Sequence, residues 1–213
     1  MRNLVIVGCG GFGREVVNIV DAINRSAGQP VWNIMGFLDD EPSQSNQAAI
    51  ERLGLPHLGR IEDSRPKFSP HDYFIIAMGD PSVRRLVEQR LMTDDRAATL
   101  IDPRASLGRD VRISAGTVVG AGAHLTTNIS VGRHVHIDRG VQVGHDCVIE
   151  DFVTIHPAAT ISGGCRLEQG ARIGTTSTVL PQLRVGGHAF IGAASCVTRD
   201  VPSNGLVKGV PAR

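Results

Sequence analysis

The stretch Val119-Gly120-Ala121-Gly122-Ala123-His124-Leu125-Thr126-Thr127-Asn128-Ile129-Ser130-Val131-Gly132-Arg133-His134-Val135-His136-Ile137 carries an aliphatic residue at every sixth position: 119, 125, 131 and 137. The beat continues both ways without a slip, through Ile101, Leu107 and Ile113 before it and through Val143, Ile149, Ile155, Ile161, Leu167, Ile173, Val179, Val185, Ile191 and Val197 after it. Four places after each aliphatic residue stands a small or apolar one, from Ala105 through Ala123, Cys147 and Cys165 to Val201. Glycine often follows the aliphatic residue directly, at 120, 132, 144, 174, 186 and 192. A period of six fits neither an α-helix nor a heptad. It fits a short strand and a sharp corner, one side of a triangular prism. Three hexads then make a coil of 18 residues, and residues 18 apart stack at about 4.8 Å, the spacing of paired strands. The predicted architecture from Ile101 onward is a parallel β-helix of hexapeptide repeats, five to six coils tall. All the sixth-position aliphatics should point inward, and the register should run unbroken from 101 to 201.

The first hundred residues read differently. Asn3-Leu4-Val5-Ile6-Val7-Gly8 predicts a buried strand, followed by Gly8-Cys9-Gly10-Gly11-Phe12-Gly13 and a helix from about Arg14 to Ala27. A second strand is expected over Trp32–Leu38, ending in Asp39-Asp40. A third is expected over Tyr73–Met78, followed by a helix from about Pro81 to Met92. Residues 41 to 70, richer in Pro, Ser and Gln, should hold a short helix and a short strand. This is a small Rossmann-like α/β unit with a parallel sheet, and it places the domains at 1–98 and 99–213. The glycines have two readings. They can bring backbone N–H groups and a helix N-terminus up to a phosphate, or they can simply permit a tight turn. The pattern argues against a full NAD-dependent dehydrogenase, because nothing after residue 100 can serve as its catalytic domain.

A chain of 213 residues suits two modest domains. Net charge is +1, which gives no electrostatic case for a nucleic-acid or anionic-membrane partner. Aromatic residues make up 4% of the chain, so the core must be built from Val, Ile, Leu and Ala. Cys9, Cys147, Cys165 and Cys196 show no zinc spacing. Cys147 and Cys165, 18 apart at the small-residue position, should stack inside as core residues. No apolar run approaches the ~20 residues that span a bilayer, and the N-terminus does not read as a signal peptide. The expected compartment is the cytoplasm.

The chain resembles the bacterial sugar O-acyltransferases of the sialic acid O-acetyltransferase type, hexapeptide-repeat acyltransferases that include N-acetyltransferases of nucleotide-linked amino-dideoxy sugars. The residues that carry the resemblance are the Gly8–Gly13 loop, Gly36-Phe37-Leu38-Asp39-Asp40, Val143-Gly144-His145-Asp146-Cys147-Val148-Ile149, the stretch 157–164, Gly192-Ala193-Ala194-Ser195-Cys196-Val197, and Lys208-Gly209-Val210-Pro211-Ala212-Arg213. It implies a left-handed β-helix, a homotrimer, acetyl-CoA in the groove between neighbouring prisms, and a nucleotide-sugar substrate. Two positions depart from the family pattern. Phe12 stands where the family has a His that helps place the nucleotide sugar. Thr154 stands where a second His often lies nine residues after the first; in this chain another His, His156, comes two positions later.

Acetyl transfer needs a base, a donor for the thioester oxygen and a held acyl donor. His145, at a corner, is the candidate base, with Asp146 fixing its tautomer. Gly163, one coil above, offers a backbone N–H for the oxygen, an effect typically worth ~3 kcal/mol. Asn128 lies one coil below Asp146 and can brace it. The resemblance implies acetyl-CoA contacts at Gly174, Gly192, Ala193, Lys208 and Arg213, and substrate contacts at Gly10, Gly11, Phe12, Gly13, Arg14, Asp39 and Asp40. No metal is expected, because the His spacing lacks the pair five apart that a γ-class carbonic anhydrase would need. The expected function is N-acetylation of a nucleotide-linked 4-amino-4,6-dideoxy sugar for bacterial surface glycan synthesis. O-acetylation of sialic acid or another glycan is the alternative, and a non-catalytic sugar-nucleotide-binding module a remoter one.

Overall fold

Strand alternation within each hexad sends two side chains inward and the rest to the surface, and the structure, a computed structural model, shows what that pattern builds. Residues 1–63, 72–91 and 96–213 are described. The chain divides into two compact units, Met1–Leu100 and Ile101–Arg213.

In the first unit, β1 (Arg2–Val7), β2 (Trp32–Leu38), β3 (His57–Gly59) and β4 (Asp72–Ile76) form a parallel sheet in the order β3-β2-β1-β4. The helices are α1 (Gly11–Ser26), α2 (Gln44–Arg52) and α3 (Pro81–Leu91). Leu4 to Val7, Phe37, Leu38 and Phe74 to Ile76 are buried in the sheet, with Val16 and Val20 of α1 buried as well. Between residues 41 and 63 the expected short helix and strand are α2 and β3; residues 64–70, like Met92, lie outside the described residues. The first helix begins at Gly11 rather than near Arg14, because the turn is completed by an extended Gly10. Gly13 is needed for close packing, since a Cβ there would run into the Gly8 carbonyl.

The second unit is a left-handed parallel β-helix whose short strands stack in three sheets, with six, five and seven strands. The first face holds Ser106–Leu107, His124–Leu125, Gln142–Val143, Thr160–Ile161, Thr178–Val179 and Cys196–Val197. The second holds Val111–Ile113, Ile129–Val131, Val148–Ile149, Arg166–Leu167 and Arg184–Val185. The third includes Val118–Val119, His136–Ile137, Thr154–Ile155, Arg172–Ile173, Phe190–Ile191 and Leu206–Val207. Cα partners lie 18 residues apart, as in Gln142 with Thr160. The column of inward aliphatics, with Ala123, Cys147, Cys165 and Ala189 between them, forms one continuous core. Cys147 and Cys165 are free thiols inside it.

Two expectations need correction. Leu107 is 38% exposed, because the first coil has only one stacked neighbour on its face. The register also fails at the far end. Val185 pairs with Val201, and Phe190 with Leu206, so the chain arrives two residues early after Val197. There the Asp200 carboxylate accepts the Arg184 N–H, and Pro202 has no N–H to donate. A side chain thus takes over part of the work of a full coil.

Every corner from residue 110 to residue 194 puts its second turn residue in the left-handed region. Asp110, Gly116, Gly122, Asn128, His134, Gly140, Asp146, Phe152, Ala158, Gly164, Gly170, Thr176, Gln182, His188 and Ala194 all have φ between 51° and 75°. The glycines after the aliphatics have a different duty. At Gly132 a Cβ would sit 2.6 Å from the Asp151 nitrogen, so these glycines let one coil settle on the next. The two duties separate by mutation. Gly122→Ala, where a Cβ meets nothing nearer than 4.0 Å, should cost about 1 kcal/mol for its left-handed φ. Gly132→Ala should cost more, about 1–3 kcal/mol, because backbone must move. Thermal unfolding followed by circular dichroism gives the order; equal losses would show that stacking is looser than the distances imply.

Candidate active site

The edge between the first and second faces carries Thr127-Asn128, His145-Asp146 and Gly163-Gly164 at successive levels. Asp146 turns the chain with φ 59°, which swings its carboxylate beside the preceding imidazole. Asp146 Oδ2 lies 2.6 Å from His145 Nδ1. Asn128 Nδ2 donates to Asp146 Oδ1 at 2.6 Å, as the step of 18 requires. Asn128, and then His145, hold the Asp146 carboxyl below the usual carboxylate range. Asp146 is therefore ionised at any pH above that range, and its charge is lost only as pH falls through the lowered value. With Nδ1 committed to Asp146, the other ring nitrogen is Nε2, on a side chain that is 65% exposed.

Gly163 stands directly over that nitrogen. A Cβ there would lie 2.6 Å from both Cε1 and Nε2 of His145. The adjacent Gly164 donates to the His145 carbonyl at 2.7 Å, which fixes the coil spacing at this level. The Gly163 N–H has no hydrogen-bond acceptor among the described residues. The Gly163 backbone and the His145 ring thus meet at one edge, and acyl transfer calls on an N–H donor and an imidazole together.

The expected acetyl-CoA contacts are elsewhere. Gly174, Gly192 and Ala193 belong to the edge between the third and first faces, and Lys208 stands in the same column. Gly174 is packed against the next coil, since a Cβ would lie 2.6 Å from the Ala193 nitrogen. Lys208 and Arg213 are held together by reciprocal backbone hydrogen bonds of 3.1 Å. Ala212 donates to Cys196 O at 2.8 Å and is buried, so the tail closes the end of the core. Within one chain these residues do not converge on His145; the first face separates the two edges. Sequence reasoning passed over a second histidine–carboxylate pair on this other edge, His156 Nδ1 with Asp138 Oδ2 at 3.5 Å. The step of 18 would have found it.

In the first unit, Gly10 and Gly11 open onto space, with nothing within 4 Å of an added Cβ. Phe12 and Gly13 follow in the first turn of α1. Three of the expected substrate contacts are engaged by the fold itself. Asp39 Oδ2 accepts the Cys9 N–H at 3.0 Å and the Cys9 thiol at 3.1 Å. Burial, and then Asp39, push that thiol up to about 12. Asp40 accepts the Ile61 N–H at 2.9 Å and pairs with Arg90. Arg14 donates to Cys9 O and to Asn46 Oδ1. Together they clasp the glycine loop to the end of β2. Among the described residues no group of three or more His, Cys, Asp or Glu could hold a metal ion, and no helix is long and apolar enough to cross a membrane.

Two substitutions probe this geometry without any assay of activity. Asn128→Ala should raise the Asp146 carboxyl towards the ordinary range, measured by carbon-13 NMR titration; no rise would mean the amide does not brace it. Gly163→Ala should displace the imidazole, visible as loss of the short His145–Asp146 contact in a crystal structure.

The first unit matches the PglD N-terminal domain over residues 3–91. GDP-perosamine N-acetyltransferase of Escherichia coli O157:H7 is 28% identical over 98% of this chain and 94% of its own length. A mutant perosamine N-acetyltransferase from Caulobacter crescentus, solved with CoA and GDP-perosamine, is 25% identical with a TM-score of 0.84, covering 99% of this chain and 95% of that one. The acetyltransferase domain of PglB from Neisseria gonorrhoeae FA1090, solved with acetyl coenzyme A, is 27% identical with a TM-score of 0.71, covering 100% and 98%. The chain thus carries a PglD N-terminal domain, is a homologue of GDP-perosamine N-acetyltransferase, and shares its fold with solved sugar acetyltransferases built on a hexapeptide-repeat prism.

Proposed function

We propose that the chain moves an acetyl group from acetyl-CoA to the amino group of a nucleotide-linked amino-dideoxy sugar of the 4-amino-4,6-dideoxyhexose type, for bacterial surface glycan synthesis. One observation carries this reading. His145 presents Nε2 beside the Gly163 N–H, in a chain that aligns end to end with an N-acetyltransferase of GDP-perosamine. His145 takes the proton from the sugar amine as its nitrogen bonds to the acyl carbon. Gly163 N–H donates to the carbonyl oxygen while that oxygen is negative. The carbon–sulfur bond then breaks, and His145 returns the proton to the sulfur. Asp146 keeps the ring in one tautomer and stabilises its charged form. The nucleotide would be held by the first domain, 1–98, at Gly10, Gly11, Phe12, Gly13 and Arg14, with Asp39 and Asp40 shaping that loop. The second domain, 99–213, would hold acetyl-CoA through Gly174, Gly192, Ala193, Lys208 and Arg213. Both co-substrates suit a cytoplasmic enzyme.

The separation of the two edges favours a homotrimer. Outward positions of the first face are Ser106, His124, Gln142, Thr160, Thr178 and Cys196, with no acid, lysine or arginine. The second face carries Arg112, Arg166 and Arg184 at the corresponding places. Charge depletion is the mark of an interface core. Three prisms that turn the first face to a threefold axis set the His145 edge of each copy beside the Gly174 edge of the next, completing a groove that no single copy has.

A panel of UDP-, dTDP- and GDP-linked amino sugars, assayed for CoA release, should show turnover on at least one; activity only on non-nucleotide acceptors, sialic acid included, would reject the choice. His145→Ala should lower turnover by about 10²–10⁴-fold with the trimer intact. Since Asp146 stays ionised across the acid limb, kcat/KM should fall there with a slope of one, and a slope of two would show that Asp146 titrates as well. Thr160→Arg, charging the middle of the first face, should dissociate the trimer by light scattering and remove activity together with it.

A further inference from the structure

We propose that His156, oriented by Asp138, is a positioning residue of the acetyl-transfer groove and acts on the neighbouring copy's His145 site, not on its own. The proposal rests on the trimeric acetyltransferase reading above. His145–Asp146 and His156–Asp138 are histidine–carboxylate pairs within ion-pair distance. They occupy the two edges that the threefold arrangement brings together. His156 Nδ1 lies 3.5 Å from Asp138 Oδ2, with side chains 28% and 12% exposed. The His156 backbone N–H donates to the Ile173 carbonyl one coil above at 2.9 Å. Asp138 is one coil below His156, so the carboxylate is placed by the same stacking that places Asn128 under Asp146. With Nδ1 turned to Asp138, Nε2 is left for the groove.

Height along the prism gives an independent argument. A closed ring of copies has no translation along its axis, so a residue's level follows its number, at about 4.8 Å for each 18 residues. His156 of one copy therefore lies about 3 Å above the His145 of its neighbour and about 2 Å below that neighbour's Gly163. That is the level of the reacting carbonyl. Above His156 in its own column come Gly174, Gly192 and Lys208, the residues proposed to track acetyl-CoA upward. His156 thus stands at the reactive end of that run, where a hydrogen bond from Nε2 can hold the acyl donor against the opposite His145. Thr154, on the adjacent strand, is 1% exposed and cannot reach the groove.

The test uses the full chain. His156→Asn should lower kcat/KM by about 10²-fold with unchanged melting and an intact trimer, and His156→Gln should recover part of it; full activity in His156→Asn overturns the proposal. Next, His145→Ala and His156→Asn chains are co-assembled in equal amounts. Each mixed trimer then has one groove with both histidines intact, so activity should return to about a quarter of wild type from random closure. No recovery above the parent trimers would place His156 in its own copy's site and overturn the proposal. Finally, in a Cys196→Ser background, His145→Cys and His156→Cys chains of different length are mixed and treated with a short bismaleimide. A crosslinked heterodimer is expected, and its absence overturns the proposal. The crosslink needs no turnover: if it forms while the wild type acetylates no sugar nucleotide, the juxtaposition stands and the acetyltransferase reading is what fails.

Discussion

The stacking of one coil on the next at a fixed step of 18 residues is the constraint on which the rest of the second unit depends. It is carried by backbone hydrogen bonds such as Gly144 N–H to Ile161 O at 2.7 Å and Gly164 N–H to His145 O at 2.7 Å. Beneath these ties the aliphatic column is buried from water between Val119 and Val197. The price is paid at the corners between residues 110 and 194, where ten non-glycine residues adopt a left-handed φ at roughly 1–2 kcal/mol each. Asn, Asp and His tolerate that region better than most. Phe152, Thr176 and Gln182 do not, and they keep it because the coils above and below leave the chain no other path.

The same stacking makes an exposed candidate site precise. His145 lies on an open edge and has no pocket of its own chain to orient it. It is held instead by Asp146 beside it, by Asn128 through Asp146, and by Gly163 above it, with Asn128 and Gly163 each one step of the repeat away. Rigid elements position reacting groups better than loops do. A prism of hydrogen-bonded coils is about as rigid as backbone can be. The arrangement also explains why a trimer suits the chemistry. An edge gives reach but no enclosure, and in the proposed trimer a second edge from another copy would supply a wall.

In the first unit the loop after β1 is tied down before any ligand arrives. Cys9, Asp39, Arg14 and Asn46 join the glycine turn to β2 and α2, and Asp40 reaches Ile61 and Arg90. A backbone that must present N–H groups to a phosphate binds best when already ordered. The acids at the end of β2 therefore act on the proposed nucleotide site through the loop that they hold. Phe12 keeps a bulky apolar ring at the turn where the resembled family carries a His.

Much of the site could be read before any coordinates. A period of six with no insertion turns stacking into arithmetic, which put Gly163 over His145 and Asn128 under Asp146, and would equally have put Asp138 under His156. The arithmetic holds because parallel strands share one spacing and the core admits one inward face. It failed where that regularity ended, at Leu107 in the first coil and after Val197, where Asp200 and the tail replace a coil. What only the tertiary structure decided was direction. Asp39 and Arg14 turn into the protein, His156 turns towards Asp138, and Thr154 is buried while His156 is not. Side-chain orientation depends on partners distant in the sequence, and periodicity carries no information about them.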